Sequence, residues 1–153
     1  MLKELKSLWA DLAGNETPAP FNESDYRVAA AALLVHVASL DGDLSDADRE
    51  KLRELLKSRF ELDADRTDEL IDAAIAADQD AVDFYSFTHV LMRALDEAGR
   101  RRIVEMMWQM VYIDGRVNEF EDNVIWRVAD LLGISNRERI ELRRQVSGAD
   151  GDA

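Results

Sequence analysis

The sequence predicts an all-α protein, a compact multi-helix bundle with an internal pseudo-two-fold repeat of two helix–loop–helix units. Apolar residues recur at helical spacing through most of the chain, whereas no alternating run or hairpin turn indicates a strand. The pair Asp41-Gly42 recurs 73 residues later as Asp114-Gly115, and a helix start follows each pair. Because one such unit cannot bury its apolar face alone, the two units are expected to pack on each other.

Changes in composition divide the chain into three parts. Residues 1–22 combine a short amphipathic helix with a proline-containing linker, residues 23–147 form the helical domain, and residues 148–153 are a polar tail. The apolar stripe of the first predicted helix consists of Leu2, Leu5, Leu8, Trp9 and Leu12. A helix this short is unstable alone in water, and its Lys3 and Lys6 attract lipid only weakly. We therefore expect it to dock on the domain or on a partner.

Within the domain, typical start and stop residues predict seven helices. The predicted starts are, in chain order, Asp25, Ser45, Asp63 or Asp65, Asp83, Asp96, Asn118 and Ser135. Three starts are completed as capping boxes by an acid three residues later, namely Asp48, Glu121 and Glu138. Glycines are predicted to end three helices, at Gly42, Gly115 and Gly133. The first helix, from about Asp25 to Leu40, would thus stop at a left-handed Gly42.

Charge and cysteine content argue against several classes of function. The chain of 153 residues has 19 Lys and Arg against 32 Asp and Glu, a net charge of −13. Nucleic acids and anionic lipid surfaces attract basic proteins, so neither is expected as the main partner. With no cysteine, the chain has no disulfides, thiolate catalysis or cysteine-based zinc sites. No apolar run approaches the roughly 20 residues of a membrane span, and the first residues lack a signal-peptide core, so a cytoplasmic location is expected.

The repeated loops contain the candidate chemistry of the sequence, which is two pairs of acids. Each pair has an Asp before a glycine and a second acid seven residues later: Asp41 with Asp48, and Asp114 with Glu121. In a structural interpretation, the second acids cap helix starts and the first ones bind amides of the next helix. However, Asp41 and Asp114 are predicted in the last turn of a helix, where a carboxylate is unfavourable by about 0.3–1 kcal/mol.

In a functional interpretation, the four acids converge on a divalent cation. Clustered carboxylates raise one another's pKa unless a cation holds them ionised, and all-oxygen ligation suits Ca²⁺, Mg²⁺ or Mn²⁺. An EF-hand is excluded, because Asp46 and Leu52 stand where its loop requires Gly and Glu. The sequence leaves both interpretations of the acids open.

No pattern of an enzyme active site accompanies the acids. His36 and His89 lie on different predicted helices without zinc-binding spacing, and the sequence has no phosphate loop or nucleophile elbow. Hydrolysis at the four acids would also lack an evident base or substrate clamp. The sequence therefore predicts a protein that is not an enzyme.

The loops and the helices around them resemble the TerB-like family of tellurite-resistance-associated proteins, whose fold family includes the cytoplasmic domain of DjlA-type co-chaperones. The likeness covers about residues 24–146 and is carried by the paired acidic motif, by Trp-Gln-Met-Val-Tyr-Ile-Asp-Gly at 108–115 and by Val-Ile-Trp-Arg-Val-Ala-Asp-Leu-Leu-Gly-Ile-Ser at 124–135. It implies a helical bundle with internal pseudo-symmetry and a proposed metal site at Asp41, Asp48, Asp114 and Glu121. Asp48 departs from the family, which more often has the longer Glu there.

The resemblance implies a non-enzymatic binding or adaptor module of a bacterial stress response, with protein partners of the stress-response or chaperone type. Reduction of tellurite is not expected, because the chain has no cysteine. Two alternatives are a metal-free structural interaction protein, in which the acids only cap helices, and a metal-dependent hydrolase.

Overall fold

The computed structural model describes residues 21–22, 24–112 and 117–148, and these residues form seven helices and no strand. The all-α prediction is therefore confirmed. The helices are α1 (Tyr26–Ala38), α2 (Asp46–Phe60), α3 (Ala64–Asp80), α4 (Tyr85–Ala94), α5 (Glu97–Val111), α6 (Glu119–Leu131) and α7 (Asn136–Ser147). In this part of the chain no helix is long and apolar enough to cross a membrane. The helix predicted in residues 2–12 and the second Asp-Gly pair, with Asp114, lie outside the described residues.

Helix α1 is the centre of the bundle and packs against α2, α3, α4, α5 and α6. Its sequence explains this position, because every residue from Val28 to Val37 except His36 is apolar and buried. A helix that is apolar on all sides escapes water only when other helices surround it. The four alanines at 29–32, each at most 1% exposed, have short side chains that let those helices approach closely.

The two proposed helix–loop–helix units pack reciprocally. Helices α1 and α5, the first helices of the two units, contact each other, while α1 also contacts α6 and α5 also contacts α2. Between α2 and α5, Arg59 donates to Gln109 Oε1 at 2.9 Å and lies 3.6 Å from Glu105. An approximate two-fold would produce this exchange of contacts, and the two-fold itself stays a prediction.

The capping boxes of α6 and α7 are complete, whereas the box predicted for α2 is only half formed. At α6, Asn118 accepts from the Glu121 amide at 2.8 Å and Glu121 accepts from the Asn118 amide at 3.1 Å. At α2, Ser45 accepts from the Asp48 amide at 3.0 Å. In the part of the chain that the structure describes, the Asp48 carboxylate does not accept from the Ser45 amide in return. The Asp side chain is one methylene shorter than Glu and does not reach back to the cap.

The end of α1 differs from the prediction. The helix stops at Ala38, where the Ser39 hydroxyl donates to the Val35 carbonyl, and not at a left-handed Gly42. Gly42 has a φ of +147°, which is outside the left-handed helical region. The loop before α2 is therefore longer than expected, and Asp41 belongs to it.

Candidate functional site

The structure places three of the four predicted site residues. Asp41 lies exposed in the loop between α1 and α2, while Asp48 and Glu121 lie half-buried in the first turns of α2 and α6. Asp114 lies outside the described residues. Asp41 follows the end of α1 instead of occupying its last turn, so its predicted placement in that turn is wrong.

Acids from both units influence one another at Glu121. Burial raises the pKa of the Glu121 carboxyl, and the negative charges of Asp41 and Asp48 raise it further. The Asn118 amide, which donates to Glu121 Oε1 at 3.1 Å, lowers the pKa and so opposes these effects. Since Asp41 and Asp48 belong to the first unit and Glu121 to the second, this electrostatic influence acts between the two units, and we term these three residues the acidic cluster.

The acidic cluster is not a closed coordination shell in the described residues. No three acid or histidine side chains of residues 21–22, 24–112 and 117–148 form a group that could hold a metal ion. The two histidines have other partners. His36 Nδ1 lies 3.0 Å from Asp78 Oδ1, and His89 stacks on Tyr85. A complete set of ligands would therefore require a residue such as Asp114, from the part of the second loop that is not described.

A lysine that sequence reasoning missed lies near the acidic cluster. Lys51 of α2 donates from Nζ to the carbonyl of Tyr112, the residue that caps the end of α5, at 2.8 Å. Burial lowers the pKa of the Lys51 ammonium, and the negative charge of Asp48 partly opposes that shift. The sequence contained a signal for this proximity, because Asp48 and Lys51 are three residues apart and such residues are neighbours on a helix. Lys51 thus joins α2 to the end of α5.

An arginine network, also missed from sequence, holds residues on both sides of the second loop. Arg143 of α7 donates from Nε to the Tyr112 hydroxyl at 3.0 Å and from Nη1 to Asp122 Oδ1 at 3.1 Å. Its guanidinium lies 5.3 Å from the centre of the buried Trp108 ring. Arg139, one turn earlier, lies 3.6 Å from the same Asp122 oxygen. These contacts follow from how α5, α6 and α7 pack, so no local pattern indicated them.

The raised pKa of Glu121 predicts how Glu121→Gln changes stability with pH. An acid whose pKa rises on folding contributes stability below its unfolded value, 4.5 for Glu, and loses that contribution as pH rises through the folded value. At about pH 7 the wild type therefore bears a cost that neutral Gln avoids, while Gln can still complete the capping box. We expect Glu121→Gln to raise the melting temperature at neutral pH and to lose this advantage near pH 4.

Glu138→Gln is the matched control for this measurement. Glu138 has the same position in the capping box of α7, but hydrogen bonds from the Ser135 amide and from Arg101 lower its pKa. Its ionised form therefore stabilises the fold above the unfolded pKa, so Glu138→Gln should lower the melting temperature at neutral pH. Thermal unfolding of both variants over a pH series gives the comparison. Shifts of the same sign in the two variants would contradict the environment assigned to Glu121.

The fold defines a class of protein, a small all-α bundle whose described residues form seven helices around a central apolar helix. A family model described as Tellurite resistance protein TerB matches residues 27–144, which is most of the chain. The chain therefore belongs to the TerB family, as its loop motifs indicated. No curated protein and no solved structure matches the chain.

Proposed function

We propose that this chain is a non-enzymatic binding module of the TerB type whose paired acidic loops take up a divalent cation. The observation that carries the proposal is the environment of Glu121, whose pKa is raised by burial and by two acids of the other unit, Asp41 and Asp48. Carboxylates brought together in this way repel one another, and a dication among them would relieve that repulsion. The packing of the two units therefore supports a site that neither loop would form alone.

The donor chemistry of the loops fits a hard cation. Asp41, Asp48, Asp114 and Glu121 would supply carboxylate oxygens, which Ca²⁺, Mg²⁺ and Mn²⁺ prefer as ligands. Glu121 uses one oxygen in its capping box, and Asp48 makes no reciprocal capping bond among the described residues. Each helix start thus retains a carboxylate oxygen for ligation, and a bound cation would hold the acids ionised.

The module is proposed to act through protein partners in a bacterial stress response in the cytoplasm. The family description, which refers to tellurite resistance, supports the link to stress. The net charge of −13 favours basic protein surfaces over nucleic acid or anionic lipid. Chemistry on tellurite itself is not proposed, because the chain has no cysteine thiol to act as a reductant.

A metal-free interaction module is the second candidate function, and two observations favour it. Glu121 completes the capping box with Asn118, which is a structural role that needs no ion. Lys51 lies near enough to Asp48 for the carboxylate to influence the pKa of the lysine, so a cation of the protein already stands near the acidic cluster. A metal-dependent hydrolase is a third alternative, for which the sequence offers neither a base nor a substrate clamp.

A thermal-unfolding titration tests the cation site. Ligand binding to the folded state alone raises stability by mass action, by about 2.7 kcal/mol at a concentration 100 times Kd. We expect millimolar Ca²⁺, Mg²⁺ or Mn²⁺ to raise the melting temperature more than a monovalent salt of equal ionic strength. Asp41→Asn and Asp114→Asn should each remove most of this gain. Without a dication they should be neutral or mildly stabilising, because they relieve repulsion among the acids.

Asp65→Asn is the control, because Asp65 is an exposed acid in the first turn of α3 and is not one of the predicted ligands. It should keep the full response to dications. The metal-free alternative predicts a different pattern: no response to any dication, and a loss of stability in Asp41→Asn and Asp114→Asn through broken loop hydrogen bonds. That pattern in both variants would eliminate the cation site and leave the interaction module.

A further inference from the structure

An exposed apolar groove lies next to the acidic cluster. Its volume is about 510 Å³, and its lining includes Leu40 from the loop after α1 together with Phe120 and Val124 from α6. The Phe120 side chain is 71% exposed and Leu40 is 37% exposed. Among the described residues Phe120 has no aromatic partner, so its exposed ring stands in water beside the polar lining residues Glu119 and Asn123. An apolar groove with polar residues at its edge is a candidate interaction surface.

We propose that this groove is the docking site of residues 2–12 of the same chain. These residues lie outside the described structure, and their sequence carries the apolar stripe of Leu2, Leu5, Leu8, Trp9 and Leu12. A stripe of this kind binds to a complementary groove through spaced apolar anchors. The groove thus offers residues 2–12 the apolar partner that an isolated short helix lacks in water.

The length of the connecting segment permits this docking. The described chain begins at Phe21, whose ring lies 4.8 Å from the Arg27 guanidinium near the start of α1. Helix α1 has 13 residues and is therefore about 20 Å long, and Leu40 follows its far end. Residues 13–20 can span at most about 26–29 Å when extended, and the prolines among them favour extension. Residue 12 can therefore reach the groove.

Charge complementarity favours the same occupant. Glu119 lines the groove, and two further acids, Asp41 and Glu121, directly follow the lining residues Leu40 and Phe120 in the sequence. Residues 2–12 carry Lys3 and Lys6 but also Glu4 and Asp11, so the segment has no net side-chain charge. Helical spacing puts the two lysines on one flank of the apolar stripe and the two acids on the other, and the lysine flank would face the acids of the groove.

Tyr85 on α4 provides a control surface. Its side chain is 58% exposed, which makes it another large aromatic group in contact with water. It differs from Phe120 because it already stacks on His89 of the same helix. A segment that docks specifically in the groove should therefore leave Tyr85 unaffected.

A double-mutant cycle in the full-length chain tests the contact. Phe120→Ala should lower the melting temperature by about 2–4 °C in the wild-type background. The same substitution should have almost no effect once Leu5→Ala and Leu8→Ala have weakened the docked segment, because an exposed Phe120 without an occupant contacts little. Tyr85→Ala should give equal shifts in both backgrounds. Additive effects at Phe120, or coupling at Tyr85 instead, would overturn the proposal.

Paramagnetic labelling identifies the occupant directly. Because the chain has no cysteine, Asn123→Cys in the groove accepts a single nitroxide, and the label should broaden the Trp9 indole signal in the NMR spectrum. A nitroxide at Glu97→Cys, at the opposite end of α5 from the second loop, should leave that signal sharp. Absence of broadening from Asn123 would overturn the proposal. Broadening that appears between separately labelled molecules in a mixture would overturn it in favour of a second copy as the occupant.

Both experiments are carried out with a chelator present, so their outcome does not depend on the proposed cation site. A failure of residues 2–12 to dock would leave the response to dications untouched. Conversely, an absence of that response would leave the coupling between Phe120 and the segment as expected.

Discussion

Leu33→Ala is expected to lower the free energy of unfolding by about 2–5 kcal/mol. Leu33 is fully buried in the middle of α1, the helix that five others surround. Truncation of Leu33 removes apolar area from the core and leaves a cavity. The helices that contact α1 on every side cannot all shift to fill this cavity. A loss of this size is a large fraction of the stability of an ordinary domain.

Urea unfolding should show this loss as a lower denaturation midpoint. An unchanged dependence of the unfolding free energy on urea concentration would show that the unfolded state is the same. Val82→Ala is the control, because Val82 is 99% exposed between α3 and α4. Its effect should stay within about 0.5 kcal/mol. If Leu33→Ala cost no more than Val82→Ala, α1 would not be the centre of the core.

Trp108→Ala is expected to cost about 3–5 kcal/mol, the second large effect. The Trp108 ring is fully buried on α5, lies 6.3 Å from the Tyr112 ring and has the Arg143 guanidinium at 5.3 Å. Alanine would remove the buried area together with the surface on which Arg143 rests. The arginine network beside the second loop should loosen as a result.

Trp108→Phe should cost less than half as much as alanine. Within the described part of the chain the buried Trp108 Nε1 has no hydrogen-bond acceptor, and such an unsatisfied donor costs about 1–3 kcal/mol. Phenylalanine removes that donor and keeps most of the ring, so the relief offsets part of the lost packing. Chemical denaturation of both variants provides the two values. Equal losses would show that Nε1 has an acceptor in solution, such as a buried water.

The local features of this fold could be predicted from the sequence. The caps predicted at Asp63, Asp96 and Asn118 are confirmed. Caps can be predicted in this way because a capping side chain binds amides only two or three residues away. The predictions about the first loop were less accurate. Helix α1 is ended by Ser39 and not by Gly42. The neighbouring sequence did not indicate which of these two residues would end the helix.

The candidate site shows the same division between local and long-range information. The sequence by itself determined the all-α class and six of the seven helix starts of the described residues, since these depend on neighbours along the chain. The start predicted at Asp83 was wrong by one residue, because Phe84 is the N-cap of α4. Only the tertiary structure decided that Glu121 is influenced by Asp41 and Asp48, that Lys51 binds the Tyr112 carbonyl, and that Phe120 borders an open groove. Burial and charge–charge interactions depend on distances through space, and helix packing sets those distances.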